Sequence, residues 1–425
     1  MSAINPFKEK PTKIEKSYEN WKKLASKPYN PDTTSPFTKV RIILMNGTEF
    51  EANWFSHQFH RHCDNNDLRR ELALIRRREQ QQQKKIAALK PISESVLQHT
   101  MGYEQLAVEL TAILAQHVKD KYVKKALDFA LLEDFDHVFR FANLLEMDEN
   151  IKAETLLGDY TEITPGRPTI SEHRYPADEI KNHINSLTAD LFTKLTVNII
   201  TAAEQQTMNF YMNQANFYKN DLGRRLFSEI AMIEEEHVSQ YGSLLDTNCS
   251  WLENWLMHEY VECYLYYSCY ADESDEYIKN IWYQFYLEEC GHLQKVAQLL
   301  KQYENKDWTE VFPCGGDFPE LLKFGQNKDY IRKVLKSTGN HTADMESYTK
   351  ITDLPSDSHY FKYNNTVNKP IDCVASHEVI EKHIKKYGED YRYEDSASPI
   401  PQLRDRKCDN VDFGRCQWFE ICINQ

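Results

Sequence analysis

Three times in this chain an acidic residue is followed, thirty positions later, by another acidic residue with a histidine three places beyond it. Glu104 precedes Asp134-x-x-His137, Glu204 precedes Glu234-x-x-His237, and Glu259 precedes Glu289-x-x-His292. Glu104 and Glu204 are each followed by glutamine. Residues three apart share one face of a helix. Thirty residues suit a helix going out, a short turn and a helix coming back. Each upstream glutamate then falls level with its partner pair on the neighbouring helix, so the spacing commits this stretch to helical hairpins.

The stretch IAMIEEEHVSQY (residues 230–241) shows which way such side chains point. Phe227, Ile230, Ile233, Val238, Tyr241 and Leu245 recur at helical spacing and define a core-facing stripe. Glu234 and His237 fall on that stripe, whereas Glu235 and Glu236 point away. The same holds for Glu289 and His292, for Asp134 and His137, and for the upstream glutamates 104, 204 and 259. A buried carboxylate is costly unless something compensates it. A buried polar network without metal is one solution. The other is a di-iron carboxylate bundle, in which two helices each give a Glu and two more each give Glu-x-x-His. Carboxylates are hard anionic donors able to bridge two metals, and imidazole suits iron. Three inward sets at one interval favour two iron ions, with a manganese–iron pair as the variant.

At these residues the chain resembles the ferritin-like superfamily, and its rubrerythrin branch most. AAEQQTMNFYMNQANFYKNDLGRRLFSEIAMIEEEHVSQYGSLL looks like that branch's first helical hairpin, and HEYVECYLYYSCYADESDEYIKNIWYQFYLEECGHLQKVAQLL like its second. The resemblance spans residues 96–305. It implies an all-α, ferritin-like bundle holding two irons that react with O₂ or H₂O₂, with Glu204, Glu234, His237, Glu259, Glu289 and His292 as ligands. The chain departs from this pattern in lacking paired CxxC motifs for a rubredoxin-type iron, so electrons come from an external donor or from an organic substrate. It also carries the third half-site, with Asp134 in place of Glu and Glu133 close enough to substitute. Ferritin-like bundles join their hairpins by a long crossover, and the long connection here lies between the first and second hairpins. Topology thus pairs Glu104, Asp134 and His137 with Glu204, Glu234 and His237, while motif quality pairs the second hairpin with the third. Both pairings stay open, and all nine residues are candidate metal ligands.

The remainder of the chain is read more coarsely. Residues 1–95 form an extension in which VRIILMNGTEFEANW (residues 40–54) signals a β-hairpin at Asn46-Gly47, followed by a charged helix. Residues 306–425 form a mixed C-terminal region of short helices and turns. Tyr211 and Tyr266, each seven residues after a ligand glutamate, are candidate catalytic residues relaying protons or electrons, with core packing as the alternative. A net charge of −14 argues against nucleic acid. The basic run LRRELALIRRREQQQQKK (residues 68–85) reads as a solvated helix face. No apolar run is long enough to cross a membrane, and the start lacks the apolar core of a signal peptide. The ten cysteines, Cys373, Cys408, Cys416 and Cys422 among them, have no framework or zinc spacing and suit reduced thiols in a cytoplasm. The expected function is a di-iron oxidoreductase, either a peroxide or oxygen reductase or an oxygenase. Iron storage is the alternative. The flanks would shape a substrate tunnel or mediate contacts in a homo-oligomer.

Overall fold

Four times the chain runs through a long helix, a turn of three residues and a second long helix. A computed structural model describes residues 4–158, 160–167, 172–370 and 374–388. Helices α1 (Pro36–His62) and α2 (Asn66–Ala87) make the first hairpin, and α3 (Val96–His117) and α4 (Lys121–Glu149) the second. Helices α5 (Leu191–Phe217) and α6 (Asp221–Ser243) make the third, and α7 (Trp251–Asp272) and α8 (Glu276–Glu304) the fourth. Each turn closes on an N-cap of the same chemistry. The side chains of Asn65, Asp120, Asn220 and Asp275 accept backbone N–H groups from the first turn of the helix that follows. Such caps contribute about 1 kcal/mol each. Ser95 and Ser250 start α3 and α7 with full capping boxes. All-α is therefore the class. Among the described residues the one sheet is an antiparallel pair, β1 (His341–Asp344) with β2 (Ser347–Lys350).

The β-hairpin expected at residues 40–54 is corrected: this stretch lies inside α1. The Asn46-Gly47 pair is used for packing, not for a turn. Gln206 inserts against it, with Asn46 Nδ2 donating to Gln206 Oε1 at 3.0 Å and Gln206 Nε2 donating to the Ile43 carbonyl at 2.6 Å. A Cβ on residue 47 would stand 2.4 Å from Gln206 Nε2, so only glycine fits. Helix α2 is likewise not a solvated face throughout. Arg78 is fully buried on Glu288, with contacts of 2.5 and 2.8 Å, while Arg70 stays exposed.

The hairpins sort into two compact units that do not follow the consecutive stretches 1–95, 96–305 and 306–425. The first unit comprises residues 1–94, 183–206 and 245–324. The second comprises residues 95–182, 207–244 and 325–425. The N-terminal stretch is thus no appendage, because its α1 and α2 complete a core. In the first unit α1 packs on α2 and α7, and α8 packs on α7 and α2. Leu44, Leu72, Leu256, Phe285 and Val296 are fully buried there. Burying each such side chain stabilises by roughly 1.5–3 kcal/mol.

In the second unit α4 packs on α3 and α6. The C-terminal part of α5 joins them through rings, with Tyr103 stacked on Phe210 at 4.3 Å and Tyr211 at 5.7 Å from Phe227. Helix α9 (Lys328–Thr338) packs on α4, and α11 (Ala375–Tyr387) packs on both α4 and α6; α10 (His359–Val367) lies between them in the chain. The connection after α4 returns across that helix. Gly166 donates its N–H to Asp136 Oδ1 at 2.9 Å, and a Cβ there would stand 2.4 Å from the Leu132 carbonyl oxygen. Cys373, Cys408, Cys416 and Cys422 lie outside the described residues. No described helix is long and apolar enough to cross a membrane.

Candidate metal centres

In the second unit, α3, α4 and α6 bring five of the nine sequence candidates to one buried layer. Glu104, Asp134, His137, Glu234 and His237 are all fully buried. One ligand atom each from Glu104, His137 and Glu234 lie within 4.8 Å of one another. Glu234 reaches both imidazoles, with Oε1 3.1 Å from His137 Nδ1 and Oε2 3.1 Å from His237 Nδ1. Asp134 Oδ1 stands 3.2 Å from the same His237 Nδ1, and Asp134 Oδ2 has no hydrogen-bond partner among the described residues. The Nδ1 atoms therefore face the carboxylates. The far side of His237 is held by Glu133, whose Oε2 is 2.7 Å from Nε2. Glu133 thus does not take the place of Asp134. It fixes the ring, as carboxylates behind metal-binding histidines do.

Sequence reasoning missed what holds Glu133. Arg174, fully buried, contacts Glu133, grips Glu179 at 2.6 and 3.0 Å, and reaches Glu236 at 3.2 Å. Arg167 adds a contact to Glu133 at 3.4 Å. Glu236, read from the helical stripe as outward, is buried because Arg174 draws it in. A lone arginine in a Pro-rich connection carries no periodic signal, so no pattern pointed to it.

The electrostatics follow from these contacts. Burial pushes the Glu234 carboxyl up, but hydrogen bonds from His137 and His237 outweigh it and hold the group well below the usual range. Burial raises Asp134, which the nearby His237 offsets only in part. Burial also raises Glu133, but Arg174, the hydrogen bond from His237 and Arg167 together more than reverse the effect. Tyr211, raised far above its ordinary value by burial and by Glu104, keeps its proton and donates it to Glu104 Oε1 at 2.5 Å.

Glu204 is buried on the part of α5 that belongs to the first unit, seven residues before Tyr211 on the same face. Glu259, Glu289 and His292 also belong to the first unit. Helices α7 and α8 share a unit with α1, α2 and the part of α5 that carries Glu204, whereas α6 groups with α3 and α4. His292 Nδ1 lies 2.8 Å from Glu289 Oε2 and 3.7 Å from Glu259 Oε2. Tyr266 donates to Glu49 on α1, as Tyr211 donates to Glu104 on α3.

That parallel exposes a half-site the sequence reading passed over. Glu49 precedes Glu79 by thirty residues, and Gln82 stands three beyond it where the other copies have histidine. The interval alone would have found it. Of the remaining histidines, His258 pairs with Glu51 at 2.9 Å, and His173 is largely buried 3.6 Å from Glu229. Compared with known proteins, the chain matches no protein-family model, no curated protein and no solved structure.

Proposed function

We propose that the second unit is a ferritin-like bundle holding a di-metal carboxylate centre, iron or a manganese–iron pair, and that the chain is an oxidoreductase using O₂ or H₂O₂. The observation that carries this reading is Glu234, one carboxylate facing two imidazoles through its two oxygens. Glu104, Asp134, His137, Glu234 and His237 would hold the metals. The donors fit such a pair: they are anionic oxygens and Nδ1 atoms, and Asp134 Oδ2 is buried with no partner among the described residues. When bound, the metals supply one-electron redox chemistry and a docking point for oxygen species.

The protein's own groups do the rest. Glu133 orients His237 through Nε2, and Arg174 holds Glu133 ionised. The layer is closed to water by full burial, which strengthens every electrostatic interaction inside it. Tyr211 keeps its proton and donates a hydrogen bond to Glu104, so it positions this carboxylate. Electrons come from an external donor or an organic substrate.

The test is anaerobic loading of the metal-free chain with Fe²⁺, then exposure to O₂ and to H₂O₂. Oxidation within seconds to minutes is expected, with near-ultraviolet absorption from the oxidised iron. Glu234→Ala should abolish the rapid phase and lower bound iron by about two equivalents. An iron-loaded chain inert to both oxidants overturns the reading. Turnover with a generic electron donor alone supports a reductase, and turnover that waits for an added organic molecule supports an oxygenase.

A further inference from the structure

The first unit carries a second polar layer, built by all four of its long helices. Glu49 comes from α1, Glu79 and Gln82 from α2, Glu259 and Glu262 from α7, and Glu289 and His292 from α8; none is more than 2% exposed. Ligand atoms of Glu79, Glu259 and His292 lie within 4.8 Å of one another, and so do oxygens of Glu259, Glu262 and Glu289. The two groups share Glu259, which Trp255 Nε1 orients through Oε1 at 2.6 Å. Gln82 Nε2 meets Glu289 Oε1 at 2.5 Å, the contact that His137 makes to Glu234 in the second unit.

These carboxylates lack the partners that burial demands. Both oxygens of Glu262 have no hydrogen-bond partner among the described residues, and neither do the Oε2 atoms of Glu49, Glu79 and Glu259. Protonation does not remove the deficit, because a buried carboxylic acid still needs an acceptor for its O–H. Burial, reinforced by the neighbouring glutamates, drives Glu49, Glu259 and Glu262 well above the ordinary carboxyl range. Five carboxylates face one imidazole.

We propose that this layer is a second dinuclear metal centre, bridged by Glu259 and selective for harder divalent cations such as Mn²⁺. The hardness follows from the donors: Glu262 adds a carboxylate, and Gln82 supplies an amide where the second unit has imidazole. Carboxylate-rich sets suit Mn²⁺, whereas imidazole favours later metals. The comparison rests on the metal reading of the second unit, but occupancy of this layer does not.

Titration of the metal-free full chain with Mn²⁺ alone, followed by loss of the free-ion paramagnetic resonance signal, separates the two. Glu234→Gln should retain about two Mn²⁺ sites, and Glu259→Gln should lose them. A folded Glu234→Gln chain that binds no Mn²⁺ overturns the inference, and so does a Glu259→Gln chain that binds as much as the parent. If Glu234→Gln binds as much Fe²⁺ as the parent while Glu259→Gln binds no Mn²⁺, the reading of the second unit fails and this one stands. Gln82→His removes no carboxylate and so keeps the test open if Glu259→Gln does not fold. It should tighten Co²⁺ binding and shift the Co²⁺ visible absorption, and an unchanged Co²⁺ spectrum counts against the site.

Discussion

The two units use one hairpin design, yet the layers they bury differ in how charge is managed. In both, a tyrosine from the later hairpin donates to the upstream glutamate of the earlier one, Tyr211 to Glu104 and Tyr266 to Glu49. The hairpin register thus dictates where side chains meet. In the second unit two imidazoles and a buried arginine surround the carboxylates, and Glu234 and Glu133 lie below their ordinary pKa. In the first unit one imidazole faces five carboxylates, three of which lie well above it. The residue three places after the acid, and the segment that covers the layer, set the chemistry that the hairpins only locate.

The largest expected effect tests the arginine. Arg174 serves Glu133, Glu179 and Glu236 at once, all deeply buried. Arg174→Ala strips the guanidinium from Glu133, a carboxylate held below its ordinary range, and breaking a buried pair from one side costs about 3–5 kcal/mol. Arg78→Ala in the first unit should cost less, on the order of 1–3 kcal/mol, because burial already raises Glu288 and the freed carboxyl can protonate. Urea unfolding of the full chain measures both. Equal losses would erase the electrostatic distinction drawn between the units.

A smaller effect separates position from chemistry. Tyr211→Phe and Tyr266→Phe each remove one hydrogen bond to a buried carboxyl group, worth about 0.5–3 kcal/mol. Both should destabilise. Only Tyr211→Phe should slow oxidation of iron held by the second unit, read as the rate of the near-ultraviolet change. If Tyr266→Phe slows it equally, the positioning role given to Tyr211 is wrong and both hydroxyls merely pack.

Much of this arrangement was legible because helical periodicity and a fixed interval are properties of the chain itself. The interval picked out three hairpins and placed Glu104, Asp134, His137, Glu234 and His237 on inward faces, where they are buried. What it missed has physical reasons. Asn46-Gly47 has the residues of a tight turn, but its glycine exists to admit Gln206, a partner far away in sequence. Gln82 broke the expected motif, so the fourth copy went unread although its glutamates keep the interval. Grouping of the hairpins was hidden as well, since short connections join neighbours in sequence without requiring them to share a core. Arg174 and Arg167 act through long-range ion pairs that leave no local pattern.

The smallest predicted effect is the pH dependence carried by one carboxyl of the second unit, Glu109. Glu109 lies five residues after Glu104 on α3, and the equivalent position on α1 is Trp54, which is half exposed. Burial pushes the Glu109 carboxyl up to about 7, against the hydrogen bonds it accepts from Asn327 and Thr161 at 2.6 and 2.7 Å. The folded state therefore keeps its proton at pH values where the unfolded chain has lost it. Stability is fully present below pH 4.5, declines as pH rises through the window from 4.5 to about 7, and is flat above it. The loss is on the order of 1–3 kcal/mol. Urea midpoints across this window should fall for the parent chain, and Glu109→Gln should remove that part of the slope with or without added metal, because the group lies outside both layers. A slope unchanged in Glu109→Gln would assign the titration to another buried carboxyl.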